Sequence, residues 1–220
     1  MLNNFLNIFF PESCPVCQKP SRNHLTAPIC AVCWQSIGPY QGPMCRKCGK
    51  PLLSDASLTC GSCLRDEPAF HHGRGFGLYE GVLKKGINLL KYHGKKRLAR
   101  PLSDMLIQRG LPPGMQTVDT VVPVPLHHKR LRQREFNQAA LLAKHIAAHL
   151  KVRLVINSLE KVRDTSPQVG LRARERMENI KNSFHIANPE GIKNKSILLI
   201  DDVVTTGATI RECSKVLKKA

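Results

Sequence analysis

The chain has 220 residues, 42% of them hydrophobic, and a formal charge of +18 at pH 7. That length accommodates one ordinary domain plus a small one, and the composition is that of a globular protein with a sizeable core. The charge suits nucleic acid or phosphorylated ligands, and no apolar run approaches the length needed to cross a bilayer.

The opening "MLNNFLNIFF" is apolar but has neither a basic leader nor a small-residue cleavage site. Residues 1–10 therefore read as an N-terminal amphipathic helix and not as a signal peptide. Between residues 11 and 68 eight of the nine cysteines fall as CxxC pairs: Cys14/Cys17, Cys30/Cys33, Cys45/Cys48 and Cys60/Cys63, with gaps of 12, 11 and 11 residues. A two-residue spacer lets a tight turn aim both sulfurs at one point, and two such turns make a tetrahedral four-sulfur site. The spacing predicts a double zinc ribbon with two structural Zn²⁺. Disulfides suit a secreted chain, and iron–sulfur spacing is usually less regular. Sequential pairing (the first four cysteines on one metal, the last four on the other) follows the internal repeat; an interleaved pairing stays open. Eight thiolates and two Zn²⁺ bring the working charge to roughly +14. His71 and His72 read as linker residues, and Cys213, alone on a predicted helix, as a small hydrophobe.

Beyond Pro68 the patterning changes. "GRGFGLYEG" (73–81) predicts a short strand, and "VLKKGINLLKYHG" (82–94) a helix with Leu83, Ile87 and Leu90 on one face and Gly94 as its stop. A second helix covers about 96–109. "DTVVPVPLHHKR" (119–130) predicts a strand running into a proline-marked loop. Phe136, Ala139, Ala143, Ile146 and Leu150 then recur at helical spacing. "VRLVIN" (152–157) predicts a strand, and the basic stretch 161–181 a mobile loop leading into a helix. "KSILLIDD" (195–202) lacks alternation, as expected of the most buried strand of a sheet covered on both faces. The order of elements over 73–220 predicts an α/β domain with a mostly parallel sheet flanked by helices.

Basic residues form three blocks: Lys84 to Arg100, Lys129 to Arg134, and Arg163 to Arg176. With aromatics at 5%, no base-stacking platform is evident, and nucleic-acid contact is expected to be mainly to phosphates.

Ligands of parallel sheets lie at the carboxyl ends of the strands. "LLIDDVVTTGATI" (198–210) places Asp201 and Asp202 there. Thr205, Thr206, Gly207, Ala208 and Thr209 follow, bending the chain into a helix start whose N–H groups and dipole favour an anion. Paired carboxylates repel phosphate, so they serve vicinal hydroxyls or hold Mg²⁺ through water. Phosphate on one side and hydroxyls on the other describe a ribose 5-phosphate group.

"LLIDDVVTTGAT" resembles the phosphoribosyl pyrophosphate (PRPP) motif of type I phosphoribosyltransferases. "PVPLHHKRLRQREFNQA" (123–139), "KVRDTSPQVGLRARERMENI" (161–180) and the cysteine-rich front resemble the ComF family over nearly the whole chain. The resemblance implies a zinc-ribbon module ahead of a type I phosphoribosyltransferase-like domain. It implies a part in DNA uptake or natural transformation on the cytoplasmic side, at the inner face of the membrane through partners. Single-stranded DNA and a competence helicase are the partners it implies. By the same resemblance Asp201 and Asp202 hold the ribose hydroxyls of PRPP, accompanied by Mg²⁺, and Thr205 to Thr209 surround the 5-phosphate. Leu126, His127, His128 and Lys129 face pyrophosphate, and Arg163 closes over the ligand. This sequence departs from the pattern at Glu135, where the family usually has glycine, and at Thr205, where purine-type transferases carry an aspartate that contacts the base. Family members usually continue past "KVLKKA" into one more strand, so an exposed sheet edge is expected. Three functions follow: a PRPP-binding accessory of DNA uptake, a transferase acting on a nucleobase or another acceptor, or an adaptor with a vestigial site.

Overall fold

The computed structural model describes residues 12–108, 111–165 and 173–220. The helix expected over 1–10 and positions 166–172 of the basic stretch lie outside the described residues.

The cysteine-rich front folds as two successive units. In each, the first CxxC forms a turn closed by an antiparallel bridge, Ser13 to Pro20 and Met44 to Pro51. The second CxxC of each opens a short helix, α1 (Ala31–Gln35) and α2 (Gly61–Arg65). The first unit shares the main core: Cys14, Ile29 and Cys30 lie in one buried cluster with Leu90, Leu98, Val121 and Ile146, and Trp34 packs against it. The second buries little beyond its own cysteines and leaves Leu53, Leu58 and Leu64 exposed. Such a unit depends on bound metal for most of its folding energy.

The strand expected over 73–81 does not form. The segment is an irregular linker laid on the ribbons: the Gly73 N–H donates to the Lys47 carbonyl at 2.6 Å, and the Tyr40 N–H to the Phe76 carbonyl at 3.0 Å. Its glycines permit close backbone approach, because a Cβ on Gly73 would stand 2.9 Å from the Cys48 carbonyl oxygen.

Helix α3 (Gly81–Tyr92) follows and stops before Gly94, whose φ is +61°. A 3-10 turn (Lys96–Leu98), α4 (Ala99–Gln108) and the short α5 (Pro113–Gln116) lead to β1 (Thr120–Pro123). Then come α6 (His128–Arg134), α7 (Gln138–Leu150), β2 (Arg153–Leu154), β3 (Leu159–Lys161), α8 (Ala173–Ile180), β4 (Phe184–Ile186), β5 (Ile197–Ile200) and α9 (Ala208–Leu217). Strands β2, β1 and β5 form a parallel sheet in that order, with Thr120 opposite both Arg153 and Ile197. β3 and β4 pair antiparallel in a separate two-stranded sheet that the sequence pattern did not foresee.

The most buried strand is β1 and not, as expected, β5. All four β1 residues are buried, whereas Ile197 and Leu199 of β5 are only partly so. The unbroken apolar run of β5 still has a physical reason. Leu198 and Ile200 face the main core, while Ile197 and Leu199 pack against a second cluster holding Val122, Phe184 and Cys213. Cys213 is fully buried, as a small hydrophobe should be.

The loop expected around 124–130 is partly helical, since α6 begins at His128. α6 ends in a left-handed residue, Glu135 at φ +64°, whose N–H donates to the Leu131 carbonyl at 2.7 Å. Asn137 then caps α7: its side-chain oxygen accepts from the Ala139 and Ala140 N–H groups, and its amide donates to the Val124 carbonyl at 3.0 Å. A side chain in the left-handed region is strained, and glycine is the usual residue at such a helix end. Glu135→Gly is therefore expected to stabilise the protein by about 0.5–1 kcal/mol, a rise in Tm of ~1–4 °C in thermal denaturation.

Candidate ligand site and metal centres

Each cysteine set converges on one point. Within Cys14, Cys17, Cys30 and Cys33, and within Cys45, Cys48, Cys60 and Cys63, all four sulfurs lie within 4.8 Å of one another. The connectivity is thus sequential, and the interleaved pairing is not the one observed. Tetrahedral Zn–S bonds of about 2.3 Å require S···S edges of roughly 3.8 Å. The Cys17–Cys30 and Cys48–Cys60 sulfurs are 3.6 Å apart in each case. The Cys30 N–H donates to Cys14 Sγ at 3.4 Å, and the Cys60 N–H to Cys45 Sγ at 3.3 Å. Burial pushes the Cys14 and Cys45 thiols up, but backbone N–H groups outweigh it and bring each down to about 6. The residues fit two structural Zn²⁺ with every ligand position supplied by cysteine.

The second candidate site lies at the carboxyl end of the parallel sheet. β1 and β5 end level, and the Val124 N–H donates to the Ile200 carbonyl at 2.8 Å. The loops that follow them therefore start side by side. After β5, Asp201 to Gly207 lead into α9. Gly207 is the N-cap of α9 with φ +79°, a backbone that glycine adopts without strain. A shallow, open hollow is lined by Asp201, Val203, Val204, Thr205, Gly207 and the first turn of α9. Thr205 is exposed and Thr206 half-buried, its hydroxyl 3.4 Å from the Ala208 nitrogen. Ala208 is buried, and Thr209 stands in the first turn of the helix.

The two acids differ. Asp201 accepts from the Asp202 N–H at 2.8 Å. Burial, with the Asp202 charge adding to it, pushes the Asp201 carboxyl up to about 8. The Asp202 side chain is only 4% exposed and pairs with Lys91 of α3 at 2.9 Å. Its second oxygen, Oδ2, is buried without a hydrogen-bond partner. Such an atom is costly to leave unmet, and it is the acceptor most in need of a donor at this site.

After β1, Leu126 is half-buried, His127 is buried, and His128 and Lys129 are exposed at the start of α6. His127 Nδ1 stands 3.6 Å from Asp164 without a hydrogen bond. Burial, with His128 next, holds the His127 imidazole below its usual range and so uncharged. Lys129 pairs with Asp164 at 3.3 Å. Arg163 is exposed and donates to the Lys181 carbonyl at 2.8 Å, so in this conformation its guanidinium secures the end of α8.

Three residues near the site were not singled out as contributors to it. Lys91 was read only as part of a basic block. Lys161 of β3 donates to Thr165 Oγ1 at 2.8 Å; burial, then Arg130, lower its ammonium to about 8, partly offset by Asp201. Arg211 of α9 donates to the Asp66 carbonyl at 2.6 Å and lies 3.1 Å from Cys63 Sγ. It ties α9, the helix that follows Gly207, to the second metal centre. No local pattern marks Lys91 or Arg211, because their partners are distant in sequence.

Fold and site together define a double zinc ribbon joined to a phosphoribosyltransferase-like domain. Comparison with known proteins agrees: residues 5–64 match the double zinc ribbon domain, and residues 137–220 the phosphoribosyl transferase domain. The chain is 32% identical to competence protein F of Haemophilus influenzae over 202 residues, covering 87% of this chain and 84% of that protein. It is 32% identical to the DNA utilization protein YhgH of Salmonella typhimurium over 212 residues, covering 94% and 91%. Competence protein ComFC of Bacillus subtilis is 26% identical over 198 residues, covering 86% and 77%. The chain belongs to the ComF family of competence and DNA utilization proteins. No solved structure matches it.

Two outcomes follow. The Arg211 guanidinium faces a thiolate of the second centre, and losing such a partner typically costs 10–100-fold in metal affinity. Arg211→Ala should speed release of one of two zinc ions to a chromogenic chelator by roughly tenfold and leave the other unchanged. Asp201, raised to about 8, is protonated in the folded protein and ionised in the unfolded chain across the range from its ordinary value of 3.8. Its contribution to stability is full below that range and is lost as pH rises toward 8. Asp201→Asn should therefore raise the Tm of the ligand-free protein by ~2–4 °C at pH 8 and by less at pH 5, read by calorimetry.

Proposed function

We propose that the chain is a PRPP-binding accessory protein of DNA uptake that acts on single-stranded DNA in the cytoplasm. The observation that carries this reading is the acid pair at the end of β5 followed at once by the Gly207-capped start of α9. The 5-phosphate would take the N–H groups of Gly207, Ala208 and Thr209 and the Thr205 and Thr206 hydroxyls. The ribose hydroxyls would donate to Asp201 and to Asp202 Oδ2, which lacks a donor. The diphosphate would lie toward Leu126 to Lys129 on the adjacent loop. Among the described residues only the cysteine sets cluster as metal ligands. Mg²⁺ would thus arrive with PRPP, taking most of its oxygens from phosphate and water.

The names of the relatives, competence protein F and DNA utilization protein, support a place in DNA uptake. The net charge of +18 suits a polyanion. Eight cysteines held as reduced metal ligands suit a reducing compartment, and among the described residues no helix is long and apolar enough to cross a membrane. A helicase-type protein of the uptake machinery is the partner proposed with it. Binding takes precedence over transfer because position 205 offers a hydroxyl where a base-directed acid would act.

Calorimetric titration of the zinc-loaded protein with PRPP and Mg²⁺ tests the reading. Wild type should bind, and the Asp201→Ala, Asp202→Ala double variant should lose at least tenfold in affinity. No heat with wild type would sink the proposal. Pyrophosphate release with a panel of nucleobases would move the function to a transferase.

A further inference from the structure

Two of the three basic blocks, separated by 28 residues in sequence, meet in space around aromatic rings. The Arg134 guanidinium at the end of α6 lies 5.3 Å from the centre of the Tyr92 ring at the end of α3. The Lys96 ammonium lies 4.9 Å over the Phe136 ring. Tyr92 is 67% exposed, large for an aromatic side chain. Phe136 is half-buried against the main core, which anchors that end of the cluster, while Lys96 is exposed. Arg134 is held by a hydrogen bond to Gln138 Oε1 at 2.6 Å, so its guanidinium is oriented.

Nearby cations of the same blocks have other work. Lys95 and Arg97 pair with Glu12, Lys91 with Asp202, and Lys129 with Asp164. The Lys96 and Arg134 charges beside aromatic rings therefore stand out. An acidic peptide needs cations but no exposed ring, and a duplex hides its base faces. A single strand offers phosphates at a regular repeat and bases whose faces are open to stacking.

We propose that Tyr92, Arg134, Lys96 and Phe136 form a binding surface for single-stranded DNA, with a base stacked on Tyr92 and phosphates on Arg134 and Lys96. The surface rests on the DNA-uptake reading above and gives it a location. Through Lys91, the neighbour of Tyr92, it adjoins Asp202 and the candidate PRPP site. Glu135 is the acidic residue between Arg134 and Phe136, and its exposed carboxylate opposes a phosphate there.

The test uses the full, zinc-loaded chain and fluorescein-labelled oligothymidylate, read by anisotropy across a salt series. Tyr92→Ala should weaken binding by ~5–50-fold with an unchanged salt slope, and Tyr92→Phe should retain wild-type affinity. Arg134→Gln should weaken binding and lower the salt slope by about 0.7, one phosphate contact on a single strand. An abasic strand of equal length should bind wild type and Tyr92→Ala alike. Zinc content and Tm matching wild type would show that the variants are folded. If wild type binds but both variants bind equally well, this surface is wrong and the DNA reading stands. If wild type shows no binding at low salt, both fail. A polyglutamate peptide that displaces the strand at equal charge concentration would overturn the proposal in favour of an acidic protein partner.

Discussion

The parallel, level pairing of β1 with β5 is the constraint on which the candidate ligand site depends. Four residue pairs, Thr120 with Ile197 through Pro123 with Ile200, set the register. The ladder runs one step further through the Val124 N–H and the Ile200 carbonyl. Both chains therefore leave the sheet at the same level, and the loops carrying Leu126 to Lys129 and Asp201 to Gly207 open next to each other. The pairing holds because both strands are apolar on both faces. Val121 and Leu198 face the main core, while Val122 and Leu199 face the cluster around Phe184 and Cys213. A slip of one residue would exchange those faces and separate the two loops.

The large positive charge has two uses that composition alone merges. Part of it holds the molecule together. Glu12 receives Lys95 and Arg97, and Arg97 also donates to the Ala27 carbonyl, which fastens the first ribbon to the α/β domain. Arg211 does the same for the second ribbon through Asp66. Exposed pairs of this kind contribute little each, about 0–1 kcal/mol, so they serve to orient more than to stabilise. Lys91 with Asp202 is different, because both groups are largely buried and removing either partner leaves a charge without compensation. The cations outside these pairs form the field that reaches a ligand.

The two ribbons are alike in sequence and unlike in dependence. Around the first metal centre Ile29 and Trp34 join a core built by α3, α4 and α7. The second centre has little apolar support and leans on the linker at Gly73 and on Arg211. Metal at the second site therefore bears on α9, which starts at the candidate ligand site, since Arg211 belongs to its first turn and donates its N–H to the Gly207 carbonyl at 2.9 Å.

Sequence by itself determined what short-range chemistry controls. The CxxC pairs announced two metal centres because the turn that aims two sulfurs is only four residues long. "DDVVTTGAT" announced a carboxylate pair beside an anion cradle because strand end, turn and helix start are contiguous. The helical spacing from Ala139 to Leu150 announced α7. Tertiary structure alone decided what depends on distant partners: that β1 is the central strand, that 73–80 lies as a linker on the ribbons, and that β3 meets β4. It also decided that Lys91 occupies one oxygen of Asp202 and that Arg134 comes to rest beside Tyr92. Pattern reports which way a side chain faces over a few residues. Which other segment it meets there is set by the packing of the whole chain.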